Sequence, residues 1–464
     1  MAGMKRLVAM AMIGAVLAGA ALAAEPAAFP RDDGYRGIWF TLGQKTEHGD
    51  KYSGGLGTYT ANHVPMAMYA KEVDKTFFVY GGARGGQRRL LNMISYYDHK
   101  TGTVPRPVIV HDKGKVDDPH DNPSLALDEK GHVWVFVSGR GKTRPGFIYR
   151  STKPYSIDAF EMVREGEFTY PQPRWIEGQG FLFLFTKYTG VRELYWGTSP
   201  DGRTWTPDRK FGGIGGHYQT SHLIGNRVIT AFNMHPDGVV DKRTNLYFLQ
   251  MDDFGQTWKN VRGEPVTVPL TKPENPALVR DYAAEKQLVY IHDLDVDKAG
   301  RPVILYNTSG DFAPGPKGDP RWLTVACWRG DTWEFSQVTR INHNYTTGSL
   351  YIEADGAWRI FCPTERGPQP VGSGAEVAVW ASRDQGKTWA KERDVTRASK
   401  FNHNYVRRPV NAHADFYAFW ADGNPDVISP SHLYFTNRAG DKVWRLPYDM
   451  KDDSAKPELM PAVK

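Results

Sequence analysis

Cysteine is almost absent: Cys327 and Cys362 are the only two in a chain of 464 residues. A disulfide framework of the kind that staples small secreted domains is therefore excluded. The two thiols could bridge, or hold a metal, or sit buried as small hydrophobes. With no C-x-x-C or H-E-x-x-H spacing beside them, the buried-thiol reading is preferred and no cofactor is expected, with a structural zinc as the subordinate reading. Charge of one sign is never concentrated. The formal net charge is +6 with no run of five or six like charges, which argues against a nucleic-acid arm and suits an acidic ligand such as a uronate or a sulfated glycan. Beyond the N-terminus no 18 consecutive apolar residues occur, so no membrane span is expected. Catalytic signatures are missing too. No G-x-S-x-G supplies a nucleophile elbow, and no convincing pair of carboxylates supports ordinary glycoside hydrolysis.

The N-terminus carries the pattern of an export signal. Lys5 and Arg6 precede an apolar stretch from Leu7 to about Ala20, and Ala21, Leu22 and Ala23 form an A-x-A site, so residues 1–23 are read as a signal peptide and 24–464 as one mature domain, periplasmic or secreted. Within it, aromatics at 13%, 47 Gly and 31 Pro favour strands and turns over helix bundles.

One pattern recurs along most of the chain: a polar or aromatic head, a strand, a turn and a second strand of mostly apolar residues. It begins at Tyr59, His120 ("HDNPSLALDEKGHVWVF"), Tyr170, His217, His292, His343 and His403, with heads roughly 45 to 75 residues apart. That spacing is expected of four-stranded propeller blades. A second periodicity agrees. "SPDGRTW" (199–205), "DDFGQTW" (252–258) and "SRDQGKTW" (382–389) share an Asp, a Gly and a Thr-Trp pair at nearly fixed offsets. Asp can accept from backbone amides in a tight turn, Gly supplies a positive φ, and Trp packs the turn onto its blade. These Asp-box turns predict an all-β, seven-bladed β-propeller. They are structural and identify no reaction.

In a propeller the loops entering the innermost strands gather on one face. His120, Tyr170, His217, His292, His343 and His403 are thus expected around one basin, supplemented by Arg140 in "SGRG", Tyr188 and Arg192 in "TKYTGVREL", and Arg243 and Tyr247 in "DKRTNLYF". Any one head can merely cap the channel by bonding to a neighbouring blade. So many titratable and aromatic heads around one funnel are costly to desolvate unless a polar ligand uses them. His, Tyr and Arg without paired acids suit β-elimination from a uronic acid, which needs a base for the C5 proton, an acid for the leaving oxygen and a cation for the enolate-like charge.

The segments "YRGIWF", "KYSGGLGTYTANH", "ISYYDHKTGTVPRP", "PHDNPSLALDEKGHVWVF", "GGHYQTS" and "DKRTNLYF" resemble those of the BNR-type propeller polysaccharide lyases, over about residues 33 to 440. That group includes ulvan lyases and L-rhamnose-α-1,4-D-glucuronate lyases, some first described as α-L-rhamnosidases. The resemblance implies cleavage of L-rhamnosyl-α-1,4-uronate linkages in an acidic polysaccharide or oligosaccharide; a monomer is expected. It casts His120 as the catalytic base. The second His common in these lyases, twenty residues on, is Arg140 here, which cannot act as a base but can grip a carboxylate. Tyr188 is read as the proton donor, and Asn122, Arg192, His217, Tyr218, Arg243 and Tyr247 as substrate contacts, with Arg243 alternatively pairing with Asp241. His63 corresponds to a histidine that the rhamnosidase description put on the opposite face, which makes hydrolysis there, or glycan binding without catalysis, the alternatives.

Overall fold

The computed structural model describes residues 27–56, 63–84 and 88–463. The export signal over residues 1–23 and the first hairpin head at Tyr59 lie outside the described residues.

Each hairpin read from the sequence becomes the inner half of one blade. The seven innermost strands are Ala67–Ala70, Pro123–Leu127, Thr169–Ile176, Gln219–Ile224, Leu288–Val296, Ser349–Ile352 and Asn402–Arg407. Each pairs antiparallel with the next strand in sequence, and successive strands add outward to give six four-stranded sheets and one of five. Among the described residues there is no α-helix, only short 3₁₀ turns.

The second strands show why the apolar runs are continuous rather than alternating. Val133–Val137 is buried at every position, because one face packs on the preceding blade and the other on the following one. Phe136 meets Phe181 at 5.3 Å and Phe183 at 5.0 Å between ring centroids, so blades two and three share one aromatic layer. Burial of one such ring contributes about 1.5–3 kcal/mol. The Asp boxes all fall between third and fourth strands, in blades three, four and six. Asp201 accepts from the amides of Arg203 (2.8 Å) and Thr204 (2.7 Å), and Asp384 from Lys387 (3.1 Å) and Thr388 (2.9 Å). Gly202 has φ +73°, and a Cβ there would stand 2.2 Å from Trp134, so the turn tolerates no side chain.

Among the described residues the ring closes without a shared blade strand, although Ser454–Ala455 of the C-terminal segment pairs with Val104–Pro105, which lies between the outer strands of blade one. Val410 bonds Ala67 and Tyr69 through backbone contacts of 2.9 Å each, while Gly37 of the N-terminal segment reaches Ser431 of blade seven at 3.0 Å and Ile38 reaches Gly81 of blade one at 2.9 Å. The same N-terminal segment carries Tyr52 into the central channel, where its ring meets Tyr345 at 4.9 Å.

Candidate active site

The connection into blade two is a single 3₁₀ turn, Pro119–Asp121, capped by Asp118, whose carboxylate accepts from the backbone amide of His120 at 3.0 Å. That cap also brings the carboxylate against the imidazole: Asp118 Oδ1 accepts from His120 Nδ1. The tautomer follows, with the lone pair on Nε2. The other oxygen, Oδ2, accepts from Arg140 at 2.9 Å and Arg144 at 3.0 Å. Burial opposes ionisation of Asp118, but His120 and Arg144 outweigh it and hold its carboxyl well below the usual carboxylate range. Burial pushes the His120 imidazole down to about 4, against the pull of Asp118, with the charges of Arg140 and Arg192 adding to the depression. His120 is therefore neutral and poised to accept a proton across the physiological range.

Beyond His120 lies a chain of aromatic rings and guanidinium groups. Tyr170 is 5.8 Å from the His120 ring and 5.7 Å from Tyr218. Arg192 sits 5.5 Å over Tyr218 and 5.5 Å over Tyr188, and its Nε donates to the Tyr188 hydroxyl at 3.3 Å. Arg243 lies deeper, 5.0 Å from Tyr218, 4.5 Å from Tyr290 and 5.3 Å from Tyr345, and donates to the Tyr345 hydroxyl at 2.9 Å. The electron-rich ring faces stabilise both guanidinium groups away from water. Burial raises the hydroxyl of Tyr170 well above the phenolic range and that of Tyr218 upward as well, so both stay protonated. Tyr170 holds a left-handed φ of +53°, costly for an aromatic residue, and its strain lies beside the His120 ring.

The predicted residues thus divide. His120, Arg140, Tyr170, Tyr188, Arg192, Tyr218 and Arg243 form one connected assembly. Asp241, the alternative partner read for Arg243, forms an ion pair with Lys51. Others belong to the scaffold. His217 donates from Nδ1 to the Asn233 carbonyl at 2.7 Å and accepts the Ile214 amide at Nε2 at 2.9 Å, so both nitrogens lock backbone. Asn122 turns its amide to the Gly55 carbonyl at 2.7 Å. Tyr247 is stacked on Phe232 at 5.2 Å inside blade four, its hydroxyl donated to the Pro273 carbonyl at 3.0 Å. His292 and His403 lie within their inner strands rather than ahead of them, bonded to Asn307 at 2.6 Å and Ser399 at 2.8 Å. His343 accepts the Tyr345 amide at 3.1 Å. In blades five to seven the tyrosines two residues away, Tyr290, Tyr345 and Tyr405, take the channel instead.

His63 is not on the opposite face. It is fully buried, donating from Nε2 to the His120 carbonyl at 3.0 Å, with its ring 5.3 Å from Tyr170. The far end of the channel holds a separate cavity of about 580 Å³, whose lining includes Arg174, His222, Asp293, Asp295 and Arg408 but not His63. Cys327 and Cys362 are free thiols in the apolar core between blades five and six. Burial pushes Cys327 up to about 12, and among the described residues neither cysteine belongs to a cluster of three potential metal ligands.

Two further residues of this assembly, Asp118 and His235, lie outside the repeated heads. Asp118 stands two residues before His120 in "DDPHD", and that offset was the available clue. His235 packs 4.7 Å from the Tyr218 ring with both ring nitrogens buried and hydrogen-bonded to nothing. It follows the second strand of blade four, a position outside any head.

A seven-bladed propeller with Asp-box turns and a His-Tyr-Arg channel mouth defines the class, and the chain belongs to the BNR repeat-containing family, whose sequence model matches residues 93–341. It is similar to a protein named ulvan lyase-PL25 from Pseudoalteromonas sp. (strain PLSV), 21% identical over 381 residues, covering 72% of this chain and 74% of that one. An ulvan lyase from Nonlabens ulvanivorans is 24% identical over 320 residues, with 61% of this chain and 66% of the relative covered. Among solved structures, a PL25 ulvan lyase bound to -[GlcA(1-4)Rha3S]- superimposes with a TM-score of 0.67 at 18% identity, over 83% of this chain and 94% of that one.

Proposed function

We propose that the protein is a polysaccharide lyase that cleaves L-rhamnosyl-α-1,4-uronate linkages by β-elimination. The observation that carries this reading is the Asp118-His120 pair, which presents a neutral imidazole beside a tyrosine and arginine cluster. The names of the relatives, ulvan lyases, agree.

The sugar carboxylate docks on the arginines at the mouth of the channel, of which Arg140 is about one-third exposed. Neutralising the carboxylate acidifies the adjacent C5 proton, and charge stabilisation of this kind is worth about 3–4 kcal/mol. His120 Nε2 removes the proton, and Asp118 stabilises the imidazolium that forms. Tyr188, held by Arg192, gives its proton to the departing rhamnose oxygen as the C4–O bond breaks and the C4–C5 double bond forms. Arg140 stands where a second histidine is common in the lyases this chain resembles. Its ion pair with Asp118 supports a role in positioning the base and meeting the carboxylate rather than in proton transfer.

Export to the periplasm or beyond, read from residues 1–23, fits a polymeric substrate, and among the described residues no helix is long and apolar enough to cross a membrane. Incubation with ulvan and, in parallel, with gum arabic tests the proposal. A lyase produces the ultraviolet absorbance of the unsaturated uronate. Release of rhamnose without that chromophore would instead establish hydrolysis, and binding without products would establish a lectin.

A further inference from the structure

A second cluster of ligating side chains lies away from the channel mouth, at the seam where the last blade meets the first. His99 follows the third strand of blade one, Leu91–Asp98, while His413 and Asp415 lie in the connection between the first two strands of blade seven, Asn402–Arg407 and Ala418–Gly423. One potential ligand atom from each residue falls within 4.8 Å of the other two, the sole such grouping of three among the described residues. The two imidazole rings stand 3.8 Å apart between centroids. His99 is oriented by Thr76, whose Oγ1 lies 2.8 Å from Nε2, and its Nδ1 is buried and hydrogen-bonded to nothing. A buried ring nitrogen with no partner costs free energy unless something fills its coordination. When the Thr76 hydroxyl accepts from Nε2, Nδ1 carries the lone pair, which is the arrangement of a metal-bound histidine with its outer hydrogen bond in place. Tyr69 and Tyr97, 5.4 and 4.9 Å from the His99 ring, wall the site.

We propose that His99, His413 and Asp415 form a site for a divalent transition metal of the zinc type, clamping blade seven to blade one. Two imidazoles and one carboxylate suit Zn²⁺ with water completing the shell. Ligand atoms around a tetrahedral zinc are separated by about 3.4 Å given bonds near 2.0–2.1 Å, so the site tightens on binding, and the part-exposed His413 and exposed Asp415 connection is the side that moves. Because the clamp joins the two ends of the ring, a metal held there binds the folded chain and not the unfolded one and raises the unfolding temperature by mass action.

The test uses the full-length protein without a histidine tag, stripped with chelator and returned to metal-free buffer. Titration with Co²⁺ is expected to give visible d–d bands that saturate at one ion per chain and are displaced by Zn²⁺, with an accompanying rise in melting temperature. His99→Gln and His413→Gln should each abolish the bands, and Thr76→Val should weaken binding by about 10-fold or more through loss of the orienting hydrogen bond. His413→Gln changes a part-exposed side chain, so its metal-free melting temperature should match that of the unaltered protein and show that the fold persists. Unchanged binding in both histidine variants, thiolate charge-transfer bands that place the ion on cysteine, or no saturable binding at all would overturn the proposal.

Discussion

Asp118 and His120, two residues apart in the chain, are joined side chain to side chain through Nδ1, and the same carboxylate collects Arg140 and Arg144 on its other oxygen. One carboxylate thus orients the imidazole and pairs with two guanidinium groups.

Removing either partner of that pair should have different consequences. His120→Ala is expected to lower kcat by about 10²–10⁴-fold, the usual worth of a positioned general base, while substrate binding persists. Asp118→Asn should lower kcat less and shift the acid limb of the kcat/KM profile to lower pH, because Asp118 is what holds the His120 pKa up against burial. In the unaltered protein that limb should fall near pH 4, with kcat/KM rising through it as His120 loses its proton. Initial rates against pH check both points, and an acid limb near 6.5 would show that burial does not depress the His120 imidazole.

Tyr188→Phe should reduce kcat by about 10²–10⁴-fold with little change in KM if the phenol is the proton donor. Arg192→Lys keeps the charge but loses the planar fork that bonds Tyr188 and rests on Tyr218, so kcat/KM is expected to drop by about 10-fold or more. Steady-state kinetics on both variants separates these roles, and wild-type rates for Tyr188→Phe would assign the acid elsewhere.

Tyr247→Phe provides the converse. Its hydroxyl is bonded inside blade four and touches no part of the His120 assembly, so the variant should turn over normally and lose about 1 kcal/mol of stability with the bond to Pro273. Denaturant unfolding alongside activity measures the split. A raised KM would return Tyr247 to the substrate site.

Acid should destabilise the fold well before its carboxylates are neutralised. Burial depresses His63, His222 and His343 to about 3 and His120, His217 and His292 to about 4, from an ordinary 6.5. Between those values the unfolded chain binds more protons than the folded one. The stability these neutral rings confer is complete above about pH 6.5 and is lost as pH falls toward 4, at about 1.4 kcal/mol per pH unit for each proton in the difference. Asp121, pushed up to about 6 by burial against Lys113 and Arg144, works in the opposite sense by one proton. Unfolding free energies from pH 7.5 to 4.5 should fall steeply, and a flat profile would show that these rings titrate normally.

The hairpins and Asp boxes were legible because their signals are local: an Asp accepting amides two to four residues ahead needs nothing from elsewhere in the chain. The heads were legible as a set and misleading one by one. His217 and His292 look like His120 in sequence, yet a carbonyl or side-chain amide oxygen takes one nitrogen of each ring and a backbone N–H takes the other, and only pairing register reveals that. Tyr247 failed for the same reason, since a strand residue's face depends on which way its pleat points. His235 was invisible because nothing in its neighbourhood repeats.

Taken alone, the amino-acid order determined seven repeating units, their turns, and the supply of imidazole, phenol and guanidinium groups at the heads of strands, since periodicity and turn chemistry act over a few residues. Which of those groups share one space was decided by the closure of the ring. It set Asp118 against His120, laid Arg192 and Arg243 on tyrosines from other blades and buried His63 behind them, because distances across a channel depend on how whole blades pack.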